Sequence, residues 1–132
     1  MSGSIDLGVL LEVQLGSPIG QLRAAPVRLG GGPSALLLVY GADFDVDPYV
    51  EMFFFPTDTL KLALLTAGGE IVWRRDLGPG VVPGIWFCPV LPLDLDGDGC
   101  DEIWFVNNLE PRHPLGLSHY CLERIDAATG RT

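Results

Sequence analysis

The chain is short of basic residues. Its 8 Lys and Arg stand against 17 Asp and Glu, a net charge of −9 at pH 7, and they form no cluster. Nucleic acids are held through phosphates that need such clusters, so this class of partner is excluded. Long apolar runs are missing too. None reaches the roughly 18 residues of a membrane span, and the longest are broken by proline or charge, so no membrane partner is expected. No segment carries a 3.6-residue apolar stripe of helical length. There is no CxxC pair. Cys88, Cys100 and Cys121 are odd in number and widely spaced, and read as unpaired, small, mostly buried side chains, with a disulfide between two of them as the alternative. The opening MSGSIDLGVLLEVQLG lacks a basic region and sets Asp6 and Glu12 around its short apolar run, which makes a poor secretory signal.

What the chain has in abundance is punctuation. Its 17 glycines and 11 prolines separate short apolar runs within 132 residues, enough for one domain with a usable core. Strand-length runs fall at Gln21–Leu29, Ala35–Tyr40, Glu51–Phe55, Thr59–Leu65, Glu70–Arg75, Ile85–Leu91, Glu102–Asn107 and His119–Ile125. In TLKLALL, Leu60, Leu62 and Leu64 alternate with Thr59, Lys61 and Ala63, the period of a strand with one buried face. The fold class is all-β.

The runs also repeat. Val13–Gly16 (VQLG) resembles Arg75–Gly78 (RDLG), Pro26–Leu29 (PVRL) resembles Pro92–Leu95 (PLDL), and Ala35–Tyr40 (ALLLVY) falls against Asp101–Val106 (DEIWFV). LLTAGGE, from Leu64, matches RIDAATGR, from Arg124. A unit of about four antiparallel strands at this spacing has the form of a β-propeller blade, which buries both faces only by stacking on neighbours. The expectation is about two four-stranded antiparallel blades, one over residues 1–78 and one over 79–132. Because the pattern is entered and left in mid-unit, the chain is expected to be a piece of a longer propeller or to assemble with other copies of itself. Its partners would then be the remaining blades or those copies.

The stretch DLDGDGCDE, Asp94 to Glu102, crowds five carboxylates into nine residues. Two unit charges about 4 Å apart repel by about 1 kcal/mol in water and roughly 4 kcal/mol at the effective permittivity of a protein surface. A hard cation removes that penalty, because calcium takes six to eight oxygens from such alternating positions. Asp94, Asp96 and Asp98 stand at positions one, three and five. Gly99 at six suits a sharp turn with positive φ, Cys100 at seven offers its carbonyl, and Glu102 stands at nine. Asp101 is expected to point outward. Position twelve is Phe105 and a strand-like IWFV follows, so the loop is not the helix-flanked EF-hand kind. Calcium (Ca2+) is expected before magnesium because the ligand count is high. The bland alternative is a solvated acidic turn.

A second cluster, DFDVDPYVE, repeats the spacing with Asp43, Asp45, Asp47 and Glu51, but its sixth position is Pro48, which cannot take positive φ. It reads either as a second cation site or as an acidic hairpin. The repeat places the counterpart of the first loop elsewhere, at RLGGGPSAL, which has no carboxylate.

The residues Asp94–Val106 resemble the calcium-binding FG-GAP or VCBS type of propeller repeat, whose DxDGDGxDE loop leads into an apolar strand; LERIDAATGRT resembles its blade end. The segments WRRDLGPG, PVLPLDLDGDGCDEIWFVNN and YCLERIDAATG are similar to the propeller of bacterial rhamnogalacturonan lyase-like proteins. The resemblance implies a calcium-stabilised scaffold that binds carbohydrate, or a fragment of a calcium-dependent lyase acting on acidic polysaccharide. An elimination needs a base and cations that stabilise an enolate. His113 and His119 are the candidate bases, and Arg74, Arg75, Arg112 and Lys61 the candidate carboxylate partners. Each also reads as a loop or strand-face group, and no catalytic residue carries over by motif. Trp86, Phe87, Trp104, Tyr40, Tyr49 and Phe53–Phe55 would stack on sugars if exposed, or fill the space between blades if not. Such loops suit the millimolar calcium outside cells, although no export signal is visible.

Overall fold

A computed structural model describes residues 8–45, 56–112, 116 and 118–132. The described residues form seven strands and no helix: β1 (Gln21–Val27), β2 (Ala35–Gly41), β3 (Lys61–Leu65), β4 (Ile71–Asp76), β5 (Val90–Leu93), β6 (Glu102–Asn108) and β7 (Tyr120–Asp126). They pair as two antiparallel meanders, β1-β2-β3-β4 and β5-β6-β7. The protein is thus all-β, with sheets of four and three strands. The run Glu51–Phe55 lies outside the described residues. All three cysteines are free, as the spacing suggested.

Local chemistry sets the ends of these strands. The β3–β4 hairpin closes with Thr66 N–H on the Glu70 carbonyl at 2.9 Å, and Gly69 takes φ of 85°, a conformation a side chain would oppose. After β7, Gly130 at φ 69° donates to the Asp126 carbonyl, and Asp126 Oδ1 accepts from Thr129 N. One strand starts later than its sequence suggests. Within Ile85–Leu91, the segment 84–88 is a turn, closed by Cys88 N–H on the Gly84 carbonyl at 2.9 Å, and pairing begins only at Val90. Gly84 and the flanking Pro83 and Pro89 override the strand preference of Ile85–Phe87.

The main core lies between the sheets. Val27, Leu37, Val39, Leu62 and Leu64 of the first sheet pack with Ile103, Phe105 and Ile125 of the second, all essentially buried. Each such side chain stabilises the fold by about 1.5–3 kcal/mol through burial. β4 adds polar stitches: Trp73 Nε1 donates to the Ala127 carbonyl at 2.8 Å, and Arg75 pairs with Glu123 while lying 5.9 Å over the Phe105 ring. Burial alone would raise the Glu123 carboxyl; hydrogen bonds from Thr132, Asn107 and Arg75 outweigh it and hold the group below its usual range. The sequence reading of Arg75 as a solvated strand face is therefore corrected, because its guanidinium spans the gap between sheets.

The first sheet also buries much of its other face. Leu38, Tyr40, Ala63 and Leu65 are covered there by Val13, Leu15 and Ile71. Ladder register relates the sheets: Pro26 pairs with Leu36 and Leu36 with Leu65, as Pro92 pairs with Ile103 and Ile103 with Ile125. The first row lies on the face away from the second sheet, whereas Ile103 and Ile125 in the second row face the first. The sheets therefore stack with corresponding faces pointing the same way.

Candidate metal centre

β5 ends at Leu93 and β6 begins at Glu102, and the eight residues between them carry the acidic loop. Its backbone curls around its own side chains. Asp94 accepts from Gly97 N at 2.7 Å and from Gly99 N at 3.0 Å, Asp96 from Asp98 N at 3.2 Å, and Asp98 from Cys100 N at 2.7 Å. Gly97 and Gly99 hold φ of 79° and 90°, so both turns use the freedom that only glycine has at low cost. The result brings one carboxylate oxygen each from Asp94, Asp96 and Asp98 within 4.8 Å of one another. Asp96 and Asp98 are exposed and Asp94 is half-buried.

The remaining residues of the expected set stand close by. Glu102 is buried at the start of β6, and its Oε2 accepts from Leu95 N at 3.5 Å, which folds this carboxylate back over the loop. Cys100 forms an isolated antiparallel bridge with Leu29. Its thiol is pushed up by desolvation and then by the charge and hydrogen bonding of Asp98.

Asp101 does not point outward. It is buried and turned to the first sheet, where its Oδ2 accepts from Arg28 N at 2.7 Å and its Oδ1 from Arg28 Nε at 3.1 Å and Nη2 at 2.7 Å. The Asp101 amide in turn donates to the Arg28 carbonyl at 2.8 Å. The cause is a charge match across the repeat: Arg28 follows β1 where Asp94 follows β5, and its Nη2 is 3.8 Å from Asp94 Oδ2. Burial would raise the Asp101 carboxyl, but the hydrogen bonds and charge of Arg28 prevail and lower it. Sequence reasoning missed this pair, although PVRL against PLDL had already put a cation in the place of the first acidic residue.

The second acidic cluster is used differently where it is described. Asp43 accepts from Thr57 N, Thr57 Oγ1 and Asp58 N at 2.9, 2.6 and 2.9 Å. Asp45 Oδ1 accepts from Ile85 N at 3.0 Å, tying this loop to the 84–88 turn. Asp47 and Glu51 lie outside the described residues. Among the described residues, Asp94, Asp96 and Asp98 are the acidic group with metal-ligand spacing.

The other candidates are largely engaged in local structure. His113, Tyr49 and Phe53–Phe55 lie outside the described residues. His119 Nδ1 is 2.8 Å from Ser118 Oγ and 3.7 Å from Glu110 Oε2, on the exposed approach to β7. Arg112 pairs with the same Glu110 and Lys61 with Asp58, and Arg74 donates to the Gln14 carbonyl. Tyr40 is buried. Trp86 and Phe87 are exposed in the 84–88 turn, while Trp104 is half-buried on β6. No family model, no curated protein and no solved structure matches this chain.

Proposed function

We propose that the protein is a calcium-stabilised β-propeller repeat module of FG-GAP or VCBS type that serves as a binding scaffold for carbohydrate. The carrying observation is the convergence of Asp94, Asp96 and Asp98 oxygens within 4.8 Å on a loop curled by two positive-φ glycines, with Glu102 folded over it. Three like charges so close repel one another, and a divalent cation with many oxygen ligands turns that repulsion into attraction. Calcium suits the set because the donors are carboxylates and backbone oxygens rather than sulfur or imidazole.

The propeller reading is supported by the stacking of the two meanders with corresponding faces in the same sense, as successive blades stack. The carbohydrate reading is supported by Trp86, which is 64 % exposed beside Phe87 in a turn anchored to Asp45; an exposed indole offers a flat apolar face with a polar edge, suited to a sugar ring. Calorimetric titration with calcium tests the centre. One site of roughly micromolar to millimolar affinity, lost in Asp96→Ala, is the expected result. Undiminished binding in that variant would refute the ligand set. Loss of oligosaccharide binding in Trp86→Ala, with calcium binding retained, tests the scaffold role separately.

A further inference from the structure

Residues 10–16, LLEVQLG, align without a gap on residues 72–78, VWRRDLG, sharing the closing Leu-Gly. Gly16 and Gly78 both have φ of 77°. Leu11 lies against Gly69, and Trp73 against Gly130, so closely that a Cβ on either glycine would sit 2.6 Å from the neighbouring side chain. Those two glycines close corresponding hairpins. Leu15 packs on the outer face of the first sheet, as Leu77 packs in the core between the sheets. Segment 72–78 does two things: it pairs with β3 and it packs on the second sheet. Segment 10–16 packs on the first sheet, but among the described residues no strand pairs with it.

The second sheet has the complementary gap. Among the described residues β7 pairs with β6 alone, so its outer edge is open where β4 covers β3. A groove of about 500 Å³ runs along that edge, lined by Leu122, Glu123, Arg124, Arg75 and Thr132. On the adjoining face Leu93, Val106 and Leu122 are exposed, whereas Val27, Val39 and Leu62, at the same register positions of the first sheet, are buried. The outer face of the first sheet still exposes Leu22, Ala24, Pro26 and Leu36. An apolar sheet face of this kind marks an interaction surface, and an open edge accepts a strand.

We infer that a second copy of this chain fills both gaps head to tail. Its residues 10–16 add to the outer edge of β7 as a fourth strand, and the outer face of its first sheet covers Leu93, Val106 and Leu122. The interface continues the one already present between the two sheets, and the inference rests on the propeller reading of their stacking. The β3–β4 register, in which Leu62 faces Arg75 and Lys61 faces Asp76, then sets Val13 of the second copy opposite Leu122 and Gln14 opposite Cys121. A head-to-tail contact generates a ring when the rotation closes. With four to eight blades in a ring and two sheets per copy, closure takes about two to four copies.

Light scattering on the 132-residue chain should give a species of two to four times the 14.2 kDa chain mass. Leu122→Glu alters a side chain that is exposed in the single chain; it should keep the β circular-dichroism spectrum and shift the mass to one copy. In Gln14→Cys the new thiol and Cys121 of the next copy should form a disulfide, with oxidised glutathione taking the two electrons, to give a ladder on a non-reducing gel. Adding Cys121→Ser should abolish the ladder. A monomeric wild type, an assembly indifferent to Leu122→Glu, or a disulfide closed within one chain would each overturn the inference. A monomer that still binds calcium through Asp96 would leave the proposed function standing, whereas a ring without calcium binding would do the reverse.

Discussion

Leu62 and Leu122 hold the same register position in the third strand of their sheets, opposite Val39 and Val106, yet Leu62 has no exposed surface and Leu122 is 69 % exposed. Likewise the loop after β1 carries Arg28 and three glycines where the loop after β5 carries carboxylates. The folds of the two units are alike, and their environments are not. Burial in this architecture is therefore decided by what stacks on a sheet rather than by the alternation within a strand. Charge is decided by the loop, which the ladder tolerates in either form.

The sharpest way to break the comparison is at that shared position. Leu62→Ala should lower the free energy of unfolding by about 2–5 kcal/mol, since the cavity opens in the core between the sheets. The same truncation at Leu122, measured by denaturant titration under conditions where the chain is a single copy, should stay within about 0.5 kcal/mol. Equal losses at both sites would show that the second sheet is covered in solution as fully as the first.

Calcium should act on one loop and not on the other. At one hundred times its dissociation constant, calcium binding only the folded chain adds about 2.7 kcal/mol. Thermal unfolding with calcium and with chelator should differ accordingly in the wild type and coincide in Asp96→Ala. The glycine-rich loop at residues 28–34 offers no carboxylate, so changes there that spare Arg28 should leave the calcium response intact.

Next in size is the tie between the loops. Asp101→Ala removes the acceptor of the Arg28 amide and the partner of its guanidinium. It should lower stability by about 1–3 kcal/mol, mostly through the orphaned amide, because the Arg28 head is well exposed and its ion pair is screened. Acid should act in the same direction. Asp101, Glu123 and Asp58 all have carboxyl groups held below their usual values, so each favours the folded state above the unfolded carboxylate range near pH 4. That contribution is lost as pH falls through the lower folded values. Denaturant midpoints should thus be flat above about pH 5 and drop below about pH 4, with a shallower drop in Asp101→Asn.

Much of this arrangement was legible in the chain. β3 is written as apolar alternation and β2 and β6 as continuous apolar runs between turn residues, and the repeat of PVRL with PLDL located the two equivalent loops. The acidic spacing singled out Asp94, Asp96 and Asp98, and two glycines supplied the turn. The 84–88 turn was hidden because Ile85, Trp86 and Phe87 are strong strand formers, and the reversal shows in the bond from Cys88 N–H to the Gly84 carbonyl and in a φ of 138° at Gly84. Asp101 was misjudged for a different reason. Its partner lies 73 residues earlier, and local spacing carries no information about a contact made by stacking one sheet on another.

The clasp between Arg28 and Asp101 works in both directions, amide to carbonyl one way and amide to carboxylate the other. The final turn of the acidic loop is consequently anchored on the neighbouring sheet rather than on its own. A cation that drew Asp94, Asp96 and Asp98 together would therefore pull, through this clasp, on the seam between the sheets.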